Sequence, residues 1–334
     1  MDRISMEHGA GGKMSHELFE QVFSSRYGNK YLDTASDKAV LKMGRNRIAF
    51  TSDAFVMSPR QVPGCSLGAL SVFGTVNDLL TCGAKPLYLS SSFVIEEGFL
   101  FDELNQIASD MASAAKKCKV EIVTGDTKVV ERGKADGVYI VTSGIGAVIQ
   151  GVDVSGSNAR VRDRVIVTGS VGNHGVAVMI ARGEFGLSAD VRSDCGSLSD
   201  LVLPLLRKFG SKVHALRDPT RGGLATVLNE ISIESGVAIE VDEKSIPIEP
   251  GVKAACDLLG MDPLYMACEG TMVLIVDRGI ENLVLRELRK RGARRAMTIG
   301  AVARSPKDRV TMTTSIGGKR YLSMLRGMSL PRIC

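Results

Sequence analysis

A cysteine ends the chain, in the sequence Pro-Arg-Ile-Cys at 331–334. The segment 316–334 contains three glycines and one proline, so we predict a mobile C-terminal tail over these residues. About 19 extended residues reach at most roughly 60 Å, which would let the sulfur of Cys334 visit a site outside its own domain. Because a thiolate is a good nucleophile, Cys334 can carry a covalently attached group. An incidental terminal residue is the alternative.

Three aspartates stand at positions where carboxylates can converge on one site. Asp53 and Asp126 each follow a predicted strand, and Asp78 lies with Asn77 inside a predicted helix, beside its apolar stripe. Oxygen ligands without histidine suit Mg²⁺ that bridges nucleotide phosphates. Aspartate is also common in caps and turns, so a magnesium–nucleotide site and ordinary structural roles both stay open at this point.

A glycine-rich stretch at 8–13 contains Gly9, Gly11 and Gly12. Successive backbone amides in such a stretch can form an anion-binding nest. The stretch does not fit the P-loop pattern G-x-x-x-x-G-K-[ST], so we do not predict a P-loop. Contact with phosphate and a flexible N-terminal leader are both compatible with this composition.

The elements that must position these residues follow from apolar periodicity. A strand at 47–52 leads into Asp53, a helix at 67–82 with apolar residues at three- and four-residue steps carries Asp78, and a strand at 119–124 ends near Asp126. Near residue 151 a polar, glycine-containing segment precedes a second series of strands and helices. We therefore predict an α/β (α+β) fold in which each of two domains, 1–150 and 151–315, is a mixed sheet with packed helices, followed by the tail.

Composition excludes several classes of protein. The chain of 334 residues is 44% hydrophobic and 24% charged with a formal net charge of +5, which is ordinary for a globular protein. It has no apolar run of 18 residues and no signal-peptide core at its start. Seven cysteines without a C-x-x-C pair argue against a disulfide framework and a structural zinc site, and favour a reducing cytoplasm. An aromatic content of 5% argues against nucleic-acid binding.

Eleven short blocks, in order, cover nearly the whole chain. They are HGAGG at 8–12, SDAFV at 52–56, GTVND at 74–78, GAKPLYLS at 83–90, EEGF at 96–99, GDTKVV at 125–130, SDC at 193–195, LRDPTRGG at 216–223, LLGMDPLY at 258–265, EG at 269–270 and the terminal PRIC. On these blocks the chain resembles the HypE family of hydrogenase maturation factors, within the superfamily of the purine-biosynthesis enzyme aminoimidazole ribonucleotide synthetase. The terminal PRIC is the most discriminating block.

The resemblance implies a specific reaction. A carbamoyltransferase partner, HypF, would place a carbamoyl group on Cys334, and ATP with Mg²⁺ would then drive dehydration of the S-carboxamide to an S-cyanate. The cyanide would pass to iron on a HypC–HypD complex, as a ligand of the [NiFe] hydrogenase centre. The resemblance also implies a homodimer in which the first domains pair and the nucleotide lies at or near the dimer interface.

The implied reaction assigns roles to further residues. Two N–H protons must leave the amide, so basic groups are required, and Lys128 and Glu269 are the candidates. Lys128 would need burial or neighbouring cations to act as a base; a phosphate-binding or surface lysine and a salt-bridged acid are the alternatives. The candidate nucleotide-binding residues are Gly9, Gly11, Gly12, Asp53, Asn77, Asp78, Asp126, Asn173, His174, Asp218 and Arg221, of which Asp53, Asp78 and Asp126 are also the candidate metal ligands.

Two other functions stay open on the sequence. A sister enzyme, such as a selenophosphate synthetase or a thiamine-phosphate kinase, would share the aspartates and the glycine-rich start, although the absence of cysteine from the first 64 residues argues against selenophosphate synthesis. A non-enzymatic ATP-dependent scaffold for maturation partners is the other. Neither requires a modified Cys334.

Overall fold

The computed structural model describes residues 4–9, 13–27, 29, 38–44, 46–183, 186, 189–325 and 333–334. The predicted phosphate-binding residues Gly11 and Gly12 lie outside these ranges. Within them, no helix combines the length and the apolar character that crossing a membrane requires.

The first domain contains a mixed sheet and a small hairpin. Its strands are β1 (Lys38–Met43), β2 (Asn46–Phe55), β3 (Gln61–Val62), β4 (Cys65–Ser66), β5 (Ala84–Glu96), β6 (Glu121–Val130) and β7 (Val138–Val148). Its helices are α1 (Lys13–Leu18), α2 (Ser25–Tyr27), α3 (Leu67–Thr81) and α4 (Phe101–Cys118), with a 3-10 turn at Met6–Gly9 and a π-helical stretch at Phe19–Ser24. In the sheet the strand order is β1-β2-β7-β5-β6, with β5 and β6 parallel and the other neighbours antiparallel. β3 pairs with β4.

Helix α3 lies on one face of this sheet and is buried along almost its whole length. The side chain of Ser66 caps its first turn by accepting a hydrogen bond from the backbone N–H of Ala69, at 3.2 Å. The helix packs on β2, β5, β7 and α4. A helix that is apolar on all sides is typical of a buried position, and α3 is accordingly the element on which the two domains meet.

Strand pairing decides which face of the sheet each side chain occupies. Asp53 is directly opposite Thr142 of β7, which is opposite Ser91 of β5, which in turn is opposite Gly125 of β6. Side chains that are directly opposite share a face, and faces alternate along each strand. Asp53 therefore points to the helix-covered face, whereas Asp126 points to the other face, which we call the open face.

The second domain contains a larger mixed sheet. Its strands are β8 (Arg164–Val167), β9 (Val213–Arg217), β10 (Ala238–Asp242), β11 (Val273–Val276), β12 (Met297–Ala303), β13 (Arg309–Thr313) and β14 (Lys319–Leu322). Its helices are α5 (Asn173–Arg182), α6 (Ser199–Phe209), α7 (Gly223–Ser235), α8 (Pro250–Leu259) and α9 (Glu281–Lys290), with 3-10 turns at Gly156–Asn158, Gly210–Lys212, Glu243–Ser245, Pro263–Tyr265 and Arg278–Ile280. The strand order is β14-β13-β10-β12-β8-β11-β9, and only the β10–β13 pair is parallel among the described strands.

These two sheets with their helices confirm the predicted two-domain mixed α/β fold. One local prediction is wrong, because β6 runs through Asp126 rather than ending before it. Part of the predicted tail is ordered, because β14 at Lys319–Leu322 pairs with β13.

The domains are joined by apolar and polar contacts around α3. Leu80 of α3 belongs to the apolar core of the second domain, and Val178 of α5 belongs to that of the first. The Asn77 amide nitrogen donates to Gly196 O at 3.0 Å, and its oxygen accepts from Leu198 N at 3.0 Å. Asn77, predicted to bind nucleotide, thus uses its buried side chain to tie the two domains together.

Candidate active site

A cleft lies between the two domains and receives the end of the chain. Each domain supplies acidic side chains to it, and the C-terminal cysteine occupies one side. The lining residues are Asp53, Ala54, Phe55, Gly74, Asp78, Asp218, Thr220, Arg221, Glu269 and Cys334.

Asp53 and Asp78 are brought together between β2 and α3. The Thr75 hydroxyl donates to Asp53 Oδ2 at 3.1 Å, and the Thr51 hydroxyl donates to Asp78 Oδ2 at 2.8 Å. Gly74 permits the close approach of helix and strand, because a Cβ there would lie 2.9 Å from the Phe55 ring. Two carboxylates held in this way, with further oxygens from phosphates and water, match what Mg²⁺ requires.

The loop between β9 and α7 contributes Asp218 and Arg221 from the second domain. Gly222 and Gly223 follow with φ of +66° and +62°, a left-handed conformation that favours glycine. A Cβ on Gly223 would also lie 2.6 Å from Leu264 O. The two glycines thus allow the chain to turn sharply after Arg221 and begin α7 directly against the cleft.

Glu269 is buried in the cleft, with 4% of its surface exposed. Its Oε1 has no hydrogen-bond partner among the described residues. Burial raises the pKa of Glu269 to about 8; the positive charge of His174 opposes this shift, and Asp218 adds to it. The carboxyl group is therefore poised to exchange a proton near neutral pH.

Two neighbouring side chains fix the backbone around Glu269. Asp194 accepts hydrogen bonds from Glu269 N at 3.2 Å and from Gly270 N at 3.0 Å. Cys268 Sγ accepts from Gly172 N at 3.1 Å, immediately before α5. Asp194 carries no role in the sequence prediction, although it lies in the SDC block that supports the resemblance; that block was the available signal.

The two residues at the start of α5 have different surroundings. His174 is fully buried and bonds through Nε2 to Ile333 O at 2.9 Å and through Nδ1 to Ser193 Oγ at 2.8 Å. Asn173 donates to Arg192 O at 3.4 Å, while its buried Oδ1 has no partner among the described residues. Neither Asn173 nor His174 lines the cleft.

Cys334 is docked in the cleft rather than extended into solvent. Its backbone oxygen accepts from Val56 N at 3.1 Å, and Ile333 and Cys334 pack against the apolar core of the first domain. Burial raises the pKa of the Cys334 thiol to about 12; Glu269 and Asp53 add to the shift and Arg221 opposes it. In this position the sulfur is a neutral thiol at neutral pH and a weak nucleophile.

Asp126, Lys128 and Gly9 also lie outside the cleft of a single chain. Asp126 and Lys128 form an ion pair of 3.0 Å on the open face of the first sheet, with side chains 61% and 70% exposed. Gly9 lies in the N-terminal 3-10 turn and does not line the cleft. Among the residues that the structure describes, no three histidine, cysteine or acidic side chains are grouped so as to hold a metal ion.

Comparison with known proteins gives the family. Residues 35–148 match the N-terminal domain of the AIR synthase related proteins, and residues 160–313 match their C-terminal domain. The carbamoyl dehydratase HypE of Bradyrhizobium diazoefficiens is 45% identical over 332 residues, which cover 99% of this chain and 96% of that protein.

Solved structures agree with the sequence comparison. The crystal structure of a HypE–HypF complex matches with a TM-score of 0.88 and 41% identity, over 92% of this chain and 99% of the solved chain. The hydrogenase maturation protein HypE in complex with ATP matches with a TM-score of 0.83 and 40% identity, over 99% and 100% of the two chains. With both domains matched and a thiol at the end of the tail seated between them, the chain belongs to the carbamoyl dehydratase HypE family of AIR synthase related proteins.

Proposed function

We propose that this protein dehydrates an S-carboxamide on Cys334 to an S-cyanate, at the expense of ATP, to supply cyanide for the iron of [NiFe] hydrogenase. One observation carries the proposal: the terminal cysteine lies in an acidic cleft beside Glu269, a buried carboxyl group with an unpartnered oxygen. A residue that carries a bound amide into this cleft would place the amide nitrogen near a proton acceptor.

The oxygen of a carboxamide is a poor leaving group and must be activated. Transfer of a phosphoryl group from ATP to this oxygen would let it leave as inorganic phosphate, while two protons leave the nitrogen and a C≡N bond forms. Asp53 and Asp78 would hold Mg²⁺ together with the phosphates, and this metal would neutralise phosphate charge. Arg221 is the cation that the second domain contributes to the cleft lining.

Glu269 is the proposed proton acceptor. A general base works best when its pKa is near the working pH, and burial raises the pKa of Glu269 to about 8. Its backbone is fixed by the hydrogen bonds to Asp194, so the carboxyl group is presented to the cleft from a rigid support. The unpartnered Oε1 is the atom that we assign to the amide N–H.

We further propose a homodimer joined through the open face of the first sheet. Phe50, Ile145 and Tyr88 pair across three neighbouring strands and form an exposed apolar row on this face, each with at least 40% of its surface exposed. An exposed apolar surface of this kind is typical of an interface between proteins. Ala54 points to the same face and also lines the cleft, so the cleft borders the proposed interface.

The proposed dimer gives a role to Asp126 and Lys128, which lie outside the cleft of a single chain. Asp126 and Lys128 lie on the open face, and a second copy packed there would bring them to the border of its partner's cleft. We assign Asp126 to the magnesium–phosphate site and Lys128 to proton transfer or phosphate binding across the interface. Domain 1–150 would then carry the nucleotide, and domain 151–315 would close the cleft.

The proposed partners are the proteins that would add a group to the sulfur of Cys334 and later accept it. A solved relative forms a HypE–HypF complex, and we propose a HypF carbamoyltransferase as the donor and a HypC–HypD complex as the acceptor for this chain. Since burial raises the pKa of Cys334 to about 12 in the cleft, carbamoylation requires the tail to leave the cleft first. The free cysteines of the described chain support a reducing, cytoplasmic location.

The test is the intact mass of the full chain after incubation with the carbamoyl donor system, with and without ATP. We expect addition of one carbamoyl group without loss of water, and then loss of one water when ATP and Mg²⁺ are present. Cys334→Ala should accept no carbamoyl group, and Glu269→Gln should accept it but lose water about 10²- to 10⁴-fold more slowly, the usual contribution of a general base.

The matched thiol control is Cys256→Ala, because Cys256 is buried in α8 away from the cleft. It should behave as the unmodified chain. A carbamoyl adduct on Cys334→Ala, or loss of water without ATP, would contradict the proposal and favour a sister enzyme or a scaffold.

A further inference from the structure

The docked end of the chain is held by two hydrogen bonds to its backbone. His174 Nε2 lies 2.9 Å from Ile333 O, and Val56 N donates to Cys334 O at 3.1 Å. Neither bond involves the Ile333 side chain or the sulfur of Cys334. We propose that His174 is a positioning residue that binds the backbone of the C-terminal dipeptide and sets how deeply Cys334 enters the cleft.

The chemistry of the imidazole ring supports this role. A backbone carbonyl only accepts hydrogen bonds, so Nε2 of His174 must carry the hydrogen in the bond to Ile333 O. Nδ1 is 2.8 Å from Ser193 Oγ, and this hydroxyl oxygen also accepts from Cys195 N at 3.0 Å. A partner on the second nitrogen fixes the ring orientation, and the fully buried ring has no room to turn away.

The groups around the ring strengthen its donor. Burial by itself would lower the pKa of His174, but the neighbouring Cys65 side chain and the carboxyl group of Glu269 raise it to about 9. A charged donor forms a shorter and stronger hydrogen bond than a neutral one. His174 therefore contacts the tail with a stronger hydrogen bond than an amide or hydroxyl would make.

The same contacts argue against the nucleotide-binding role that the sequence favoured for His174. Both ring nitrogens already have partners, Ser193 and Ile333, and the ring does not line the cleft. Because the bond is made to the carbonyl one residue before the cysteine, it fixes the distance along the chain from the anchor to the sulfur. Any group carried on Cys334 would therefore be delivered to one place.

The inference rests on the proposed function only in taking the docked tail as the reacting state, and its test requires neither ATP nor a carbamoyl donor. We would measure the rate at which iodoacetamide alkylates Cys334 in the full chain, resolved by peptide mass spectrometry. Loss of a strong hydrogen bond should raise this rate about 10- to 100-fold in His174→Ala, because the tail spends more time undocked. The buried thiol of Cys256 is the internal reference.

Two further variants of His174 separate docking from loss of structure. His174→Gln keeps an N–H donor near the position of Nε2 and should alkylate within about 3-fold of the unmodified chain, since a neutral hydrogen bond contributes somewhat less than a charged one. His174→Phe fills the buried space without a donor and should behave like His174→Ala, which keeps the test decisive if the alanine variant fails to fold.

The matched control is His214→Ala. His214 is a second buried histidine of the same domain, bonded to Asp163 Oδ2 at 2.7 Å and not to the tail. In the His214→Ala variant, Cys334 should be alkylated at the same rate as in the unmodified chain. The proposal is overturned if His174→Phe leaves the rate unchanged, or if His174→Gln, with Cys256 still protected, reacts as fast as His174→Phe. Either result would refute the proposed role of His174 even if dehydration on Cys334 were confirmed.

Discussion

Replacing Glu269 by glutamine should change how the stability of the protein depends on pH. The carboxyl group is 4% exposed and its Oε1 has no hydrogen-bond partner among the described residues. Glutamine has nearly the same shape but no charge to bury. The unmodified chain must bury a carboxylate at high pH, whereas Glu269→Gln never does.

The size of the effect follows from the pKa of Glu269, which burial raises from 4.5 to about 8. That difference corresponds to about 5 kcal/mol of stability at most. Because the pKa of Glu269 is raised in the folded state, the stability that this carboxyl group contributes is fully present below pH 4.5. It is lost as the pH rises through 8. The opposing charge of His174 is already included in this shift, so we expect an effect of no more than about 5 kcal/mol.

The measurement is urea unfolding of the unmodified chain and of Glu269→Gln at several pH values between about 5 and 9. The free energy of unfolding of the variant, minus that of the unmodified chain, should increase with pH up to about 8 and then level off. Glu240→Gln, at an exposed position on β10, serves as the control and should show a constant difference. A constant difference for Glu269→Gln as well would refute the reasoning that this carboxyl group is buried at a cost.

Three further predictions concern the site proposed at the dimer interface, the magnesium site and the contact between the two domains. Lys128→Ala and Glu269→Gln should each be inactive in dehydration, but an equal mixture of the two chains should regain about one quarter of the activity, because half of the dimers would hold one intact site; no recovery would place Lys128 and Glu269 in the same chain's site. Asp53→Asn should weaken binding of Mg²⁺–ATP at least about 10-fold by calorimetry, and unchanged affinity would remove it from the metal site. Asn77→Ala should lower the free energy of unfolding by about 1–3 kcal/mol, with Gly196 O and Leu198 N left unpaired; an effect below about 0.5 kcal/mol would contradict its bridging role.

Local sequence patterns predicted the fold and the part of the site that lies between β2 and α3. The apolar periodicity of α3 and the strand before Asp53 were sufficient to expect Asp53 and Asp78 near each other, because a buried helix packed on a sheet brings its polar positions against the strand beneath. The paired glycines at 222–223 also indicate a sharp turn before a helix.

The same patterns could not assign faces of the sheet. Asp53 and Asp126 each come near the end of a predicted strand, yet one residue of register places their side chains on opposite faces. Similarly, the spacing of Asn77 and Asp78 does not reveal that the amide faces the second domain while the carboxyl group faces the cleft. The role of His174 depends on Ile333, far away in the sequence, and no local signal predicts that contact.

The edge strand β14 limits how far the sulfur of Cys334 can travel. Its last residue, Leu322, is paired with Val310 of β13, so only residues 323–334 link the second sheet to the thiol. Covalent geometry allows these residues to span at most about 43 Å, less than the roughly 60 Å expected for a tail that starts at 316. In the proposed reaction, a donor enzyme and a receiving complex would each have to bring their reacting atoms within that distance of β14.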